Sequence, residues 1–275
     1  MTTDVNRRVL PGFALSLGYT VFYLSLLVLI PILAGVVKTS SLSLESFWAA
    51  VSTDRAVAAY KLTVGAAVVS AAIDIVLGAV VAWVLVRYDF PLKRIFDALV
   101  DLPFALPTAV AGLVYSDLYT EQGWLGRFLV PLGIQGAYSR LGIVLVLTFI
   151  GFPFVVRTLQ PVIENLETDV EEAAACLGAS RWQTVTRVLL PAIYPATITA
   201  FALAFARALG EYGSVVFISG NMPYRTEIAP VLIVARLEEF AYGEATAIAI
   251  VLLVISLATL FLINLLERWS TRAHG

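Results

Sequence analysis

Three stretches of the chain carry side chains whose type and spacing could do chemistry. The first is Arg207, Glu211 and Ser214, set inside an apolar run. There an arginine can offset the charge of a passing anion, and a glutamate four residues on can hold that arginine in place. The second is Asp74, an acid in Ala72-Ile73-Asp74-Ile75. It suits a proton or cation path, or a hydrogen bond across a helix interface, and the interface reading is preferred. The third is the segment 168–191, where Thr168 with Glu171 and Ser180 with Gln183 have capping-box spacing on either side of Gly178. Such a segment can dock a partner protein.

Other chemistry finds no support. The lone Cys176 excludes an internal disulfide and a multi-cysteine metal site, and His274 has no second ligand nearby. No Gly-x-x-x-x-Gly-Lys-Ser/Thr stretch exists to cradle ATP phosphates, so no cofactor and no catalytic residue is assigned to this chain. No basic cluster is dense enough for nucleic acid.

The elements that must position these residues are membrane spans. The chain is 60% hydrophobic and 14% charged, against about 25% charge in a soluble domain. The bilayer is therefore the solvent for its apolar residues. A crossing takes about 20 apolar residues, and segments 13–37, 58–86, 95–117, 141–160, 193–217 and 245–266 qualify. The reading is all-α, a single transmembrane domain over 1–275 with six membrane-spanning helices. Arg7 and Arg8 precede an apolar run of roughly 25 residues, too long for a signal-peptide core, so the first span reads as an uncleaved anchor. Residues 229–237 are too short to cross and read as an external or re-entrant helix.

Lysine and arginine give the orientation. One side collects Arg7, Arg8, Arg87, Lys93, Arg94, Arg157, Arg181, Arg187, Arg268 and Arg272; the other collects Lys38, Arg55, Lys61, Arg127, Arg140, Arg225 and Arg236. Ten against seven, with the tight groups all on the first side, puts both termini in the cytoplasm. Belt aromatics agree: Trp48, Trp124 and Tyr138 outside, Trp83, Tyr88 and Trp269 inside.

A charge at the membrane centre costs roughly 2.5–3.5 kcal/mol on insertion scales. At about 100° per residue, Ala200, Ala204, Arg207, Glu211 and Ser214 fall on one face of span five, with Phe205, Leu209 and Val216 opposite. That stripe faces protein or water. Either Arg207 and Glu211 neutralise each other while helices pack on the alanines, or Arg207 lines a translocation path; both stay open. Pro103 and Pro107 break span three near its cytoplasmic end, as a kink at a helix interface or as a movable gate element, the kink being preferred.

In segment 168–191, the Thr168/Glu171 box opens a helix with acids in its first turn, and Gly178 suits the left-handed position that ends it. The Ser180/Gln183 box opens a second helix, which Pro191 is expected to close. Ala173, Ala174 and Ala175 leave a face narrow enough to enter a groove on another protein. The alternative is an amphipathic hairpin lying on the headgroups.

Glu172-Ala173-Ala174, then Gly178, then Val188 and Leu190-Pro191 resemble the EAA signature of ABC importer permeases. The family pattern is EAA, three residues, Gly, nine residues, Ile-x-Leu-Pro, and Val188 for Ile is the single departure. The resemblance implies the type I importer permease fold with a cytoplasmic coupling helix. Glu171, Glu172, Ala173, Ala174, Gly178 and Arg181 would then dock an ATPase subunit that binds the ATP. Residues 206–215, Gly220-Asn221-Met222-Pro223, Arg225 to Pro230, Leu10-Pro11-Gly12-Phe13, Ser16 to Thr20 and Ala82 to Tyr88 resemble the T-type subunits of bacterial sulfate/thiosulfate permeases. That resemblance implies an inner-membrane location, two ATP-binding cassette subunits, a second permease subunit of W type and a periplasmic sulfate-binding protein. It also implies a translocation path in which Arg207, Glu211 and Ser214 are candidates. Molybdate or tungstate permeases share a similar span-five stretch with Phe at the place of Tyr212, and are the alternative. A secondary transporter would call for inverted repeats and several intramembrane titratable groups.

Overall fold

The computed structural model describes residues 13–273. Arg7, Arg8, the motif Leu10-Pro11-Gly12 and His274 lie outside the described residues, as do the side chains of Arg268, Trp269 and Arg272. Among the described residues every regular element is a helix. Among the described residues five helices are long and apolar enough to cross a bilayer: Leu15–Ser40, Asp54–Arg87, Arg140–Glu164, Arg181–Leu209 and Tyr242–Leu265. They account for spans one, two, four, five and six.

Span three, read over 95–117 with a break at Pro103 and Pro107, is interrupted as expected. It is three pieces, Lys93–Val100, Leu102–Ala105 and Thr108–Tyr119. Proline is the reason: Leu106, just before Pro107, is extended at ψ 126°, the conformation that the following ring imposes. The short helix read at 229–237 is present as Ala229–Glu238.

Two other prolines do not break their helices. A five-residue π turn, Ser25–Leu29, precedes Ile30-Pro31, and another, Val185–Leu189, precedes Leu190-Pro191. A proline ring clashes with the carbonyl four residues back and offers no N–H. Widening the preceding turn shifts the bonding register and lets the helix continue. The expectation that Pro191 closes the second helix of segment 168–191 is therefore corrected: the helix runs without interruption from Arg181 to Leu209.

The core lies where spans two, four and five meet. Span two starts at Thr53, whose Oγ1 accepts from the Ala56 N–H at 3.2 Å, and span four at Ser139, whose Oγ accepts from the Gly142 N–H at 3.1 Å. Span two buries a stripe of small residues, Ala59, Thr63, Ala66, Ala67, Ser70, Ala71, Gly78 and Ala82, at helical spacing. Lipid tails are as apolar as leucine, so close backbone approach and dispersion, rather than water exclusion, drive this contact. Ile143, Val146, Ile150, Val155, Val156 and Leu159 fill the facing side from span four, and Ala200, Ala204, Phe205 and Ala208 come from span five. A Cβ on Gly78 would lie 2.9 Å from Val155 Cβ, so any larger residue there must push the two spans apart. Span one contributes no buried residue to this core in its apolar stretch.

Candidate functional site

Segment 168–191 is an elbow made by local bonding. Its first helix is Thr168–Cys176. The Gly178 N–H reaches the Ala175 carbonyl at 2.9 Å and the Ala179 N–H reaches the Ala174 carbonyl at 3.0 Å. With Gly178 at φ +80°, this is a Schellman ending that satisfies two otherwise orphaned carbonyls. The second helix opens with the expected capping box: Gln183 N–H donates to Ser180 Oγ at 3.3 Å, and Ser180 N–H donates to Gln183 Oε1 at 2.8 Å.

The first expected box, Thr168 with Glu171, does not form. The N-cap is Glu167, and it makes no side-chain cap bond. Glu171 turns instead to Arg87 at the end of span two, an ion pair at 3.0 Å. Arg87 also donates to the Leu166 carbonyl at 3.0 Å and lies over the Trp83 ring, 5.3 Å from its centre. Sequence reasoning counted Arg87 only as a topological charge; its place as tether of the elbow was missed. The signal available was its position as the last residue of a capped helix facing an acid-rich loop.

The elbow leaves a hydrophobic point uncovered. Leu177 is 89% exposed and Trp182 75% exposed, with Glu172, Ala173, Gly178 and Arg181 exposed around them and Ala174 half-buried. The second helix continues into span five through the π turn without interruption.

At the other end of span five the helix stops at Leu209, short of the expected 217. The chain breaks over 210–214 and resumes as Val215–Ile218. The expected single-face stripe is thus corrected: Ala200, Ala204 and Arg207 share the helix, whereas Glu211 and Ser214 lie in the break. The three polar residues still converge. Arg207 Nη1 is 2.5 Å from Glu211 Oε2, and Glu211 Oε1 accepts from the Ser214 N–H at 2.9 Å and hydroxyl at 3.0 Å. The Glu211 side chain is 3% exposed and that of Arg207 31%. One carboxylate therefore neutralises the arginine and caps the resumed chain, while the guanidinium keeps an open side.

The break is seated against the broken third span. A Cβ on Gly112 would overlap the Ser214 carbonyl, and one on Gly213 would overlap Thr108 Oγ1. The half-helix Thr108–Tyr119 thus lies along the interruption of span five. The chain just before it, around Asp97 and Asp101, is fixed by Arg157 of span four, which donates to Asp101 at 2.8 and 2.6 Å, to Asp97 Oδ1 at 2.6 Å and to Gln160 at 2.6 Å. On the opposite end, Arg55 donates to Glu227 at 2.8 and 2.7 Å. Thr63 Oγ1 accepts from the Ala229 N–H at 2.8 Å, so the Arg225 to Pro230 run anchors the short helix to span two. Asp74 lies at a helix interface as expected, but the hydrogen bond foreseen for it is not made. Among the described residues no group of His, Cys, Asp and Glu is arranged to hold a metal.

Residues 74–273 match the family model described as "Binding-protein-dependent transport system inner membrane component". The chain is 52% identical over 253 residues to the sulfate transport system permease protein CysT of Synechocystis sp., covering 92% of this chain and 88% of that one. It is 46% identical to the protein of the same name from Escherichia coli, over 98% of each. Among solved structures it is similar to a bacterial ABC transporter importing the acidic polysaccharide alginate, with TM-score 0.76 at 18% identity over 93% of this chain and 94% of that one. The MetNI methionine ABC transporter is similar at TM-score 0.58 and 19% identity, over 85% and 100%. These two structural likenesses speak to the fold.

Proposed function

The chain belongs to the family of binding-protein-dependent transport system inner membrane components, and on that premise we propose that it is the membrane-spanning permease subunit of an ATP-driven importer carrying sulfate, and thiosulfate with it, inward. The likeness of nearly the whole chain to sulfate transport permeases supports the cargo. The observation that carries the coupling is the elbow, whose exposed Leu177 and Trp182 stand on a helix continuous with span five.

In this reading the chain sits in a bacterial inner membrane with both termini cytoplasmic. Two ATP-binding cassette subunits bind the ATP, one of them receiving the elbow through Glu171, Glu172, Ala173, Ala174, Gly178 and Arg181. A second permease subunit of W type completes the conduit, and a periplasmic sulfate-binding protein delivers the anion. Closure of the ATPase pair moves the elbow, the π turn passes that movement to span five, and the break at 210–214 changes its seat on span three. Arg207 offers its open side to the dianion while Glu211 holds it in place and keeps the resting site neutral. Ser214 supplies the N–H that fixes Glu211.

Uptake of labelled sulfate by proteoliposomes containing the assembled transporter tests this. Sulfate uptake that unlabelled thiosulfate suppresses and molybdate does not is the expected result. Uptake of molybdate in preference to sulfate would move the chain to the alternative cargo. Normal uptake by a well-folded Arg207→Gln variant would remove Arg207 from the path.

A further inference from the structure

Asp74 has no part in the mechanism above, yet it occupies a close crossing of the bundle. It is 1% exposed, and neither carboxyl oxygen has a protein hydrogen-bond partner among the described residues. Oδ2 fills the space that a side chain on Gly151 would take. From that same Cβ position Asp74 Cγ is 3.3 Å away and Ala204 Cβ 3.5 Å. The carboxyl is thus wedged among spans two, four and five. Spans two and four run side by side here, with Asp74 against Gly151 and, one turn on, Gly78 against Val155. One turn back on span four, Thr148 Oγ1 is a second buried polar atom without a partner.

Among the described residues no side-chain cation pairs with Asp74. On its own helix the flanking ionisable groups are Lys61 and Arg87, each about 20 Å away along the axis. Span four carries no ionisable side chain between Arg140 and Arg157, and Arg157 is engaged by Asp97 and Asp101. Span five carries only Tyr194 between Arg187 and Arg207, and Arg207 is engaged by Glu211. A carboxylate charge left without a partner in such surroundings is costly.

We propose that Asp74 is a proton-loaded contact: the neutral acid fits the Gly151 recess and holds spans two, four and five together, and its ionisation forces them apart. The proton leaves to water entering as the spans part and returns when they close, so proton occupancy biases which arrangement the bundle holds. This inference rests on the membrane-spanning fold and is independent of the cargo.

The sign is fixed by the neutral form being the stabilising one. Only the uncharged carboxyl fits the closed recess without a counter-charge, so a rise in pH works against the contact. Infrared difference spectra of the transporter assembled in lipid, comparing wild type with Asp74→Asn, should show a protonated-carboxyl stretch that the substitution removes. Thermal unfolding should fall with rising pH in wild type relative to Asp74→Asn, by on the order of 2–4 °C. A carboxyl band absent from wild type, or parallel pH profiles in the two, would overturn the proposal. Should Asp74→Asn not assemble, Gly151→Ala carries the test. It should destabilise wild type by expelling the carboxyl and be tolerated beside Asp74→Ala, whereas equal harm in both backgrounds would refute the recess.

Discussion

The elbow at 168–184 and the break at 210–214 are the two ends of one helix, and they are built on opposite terms. The elbow is exposed and closes through bonds between near neighbours: the Schellman pair after Ala175 and the Ser180/Gln183 box. The break is buried and closes through one carboxylate, Glu211, together with the glycines that let span three approach. The docking proposed for the elbow requires it to keep its shape while a partner comes and goes, for which local bonds suffice. A break buried within the bundle must satisfy its backbone internally and depends on its seat. The difference also separates the effects of substitution, since damage at the elbow should uncouple the transporter and damage at the break should unseat the bundle.

The largest effect is expected for Glu211→Ala, which strands Arg207 and the Ser214 N–H together. Removing one member of a buried pair costs roughly 3–5 kcal/mol; the partial exposure of Arg207 moderates this, leaving about 2–3 kcal/mol. Thermal unfolding of the purified transporter should show a drop of several degrees. The double variant Arg207→Ala/Glu211→Ala should be less unstable than Glu211→Ala alone. If the double variant is worse, the pair is not the seat of the break.

Next comes Gly112→Val, which drives a side chain into the Ser214 carbonyl. Overpacking of this kind costs about 1–3 kcal/mol, and it should lower both thermal stability and uptake. Gly178→Ala follows, at about 1 kcal/mol for a left-handed residue that gains a Cβ. Here the comparison sharpens: unfolding temperature should barely move, while sulfate-stimulated ATP hydrolysis falls. A fall in stability without a fall in coupling would deny the elbow its role. The smallest effect belongs to Arg87→Gln, where a partly exposed pair is worth at most about 1 kcal/mol. It should show as a modest loss of coupling with the bundle intact.

The same contrast explains what the sequence disclosed. The Gly178 turn and the Ser180/Gln183 box were readable because their partners lie within a few residues. The Thr168/Glu171 box was misread because Glu171 finds Arg87, which is distant in sequence. Pro103 and Pro107 announced the interruption of span three, whereas Leu190-Pro191 mimicked a helix end that a π turn absorbs. The end of span five at Leu209 was hidden by an Arg207/Glu211 spacing that also suits an unbroken helix. Gly210 and Gly213, two glycines in four residues, were the available sign of a break. The contact of Asp74 with Gly151 could not be read at all, since nothing local pairs spans two and four in register.

The most direct test is ATP hydrolysis by the assembled transporter in lipid upon adding sulfate-loaded binding protein, for wild type and for Leu177→Asp. The account predicts stimulation by sulfate in wild type, and its loss in Leu177→Asp with the bundle still folded. Stimulation that survives Leu177→Asp, or that neither sulfate nor thiosulfate produces in wild type, would contradict it.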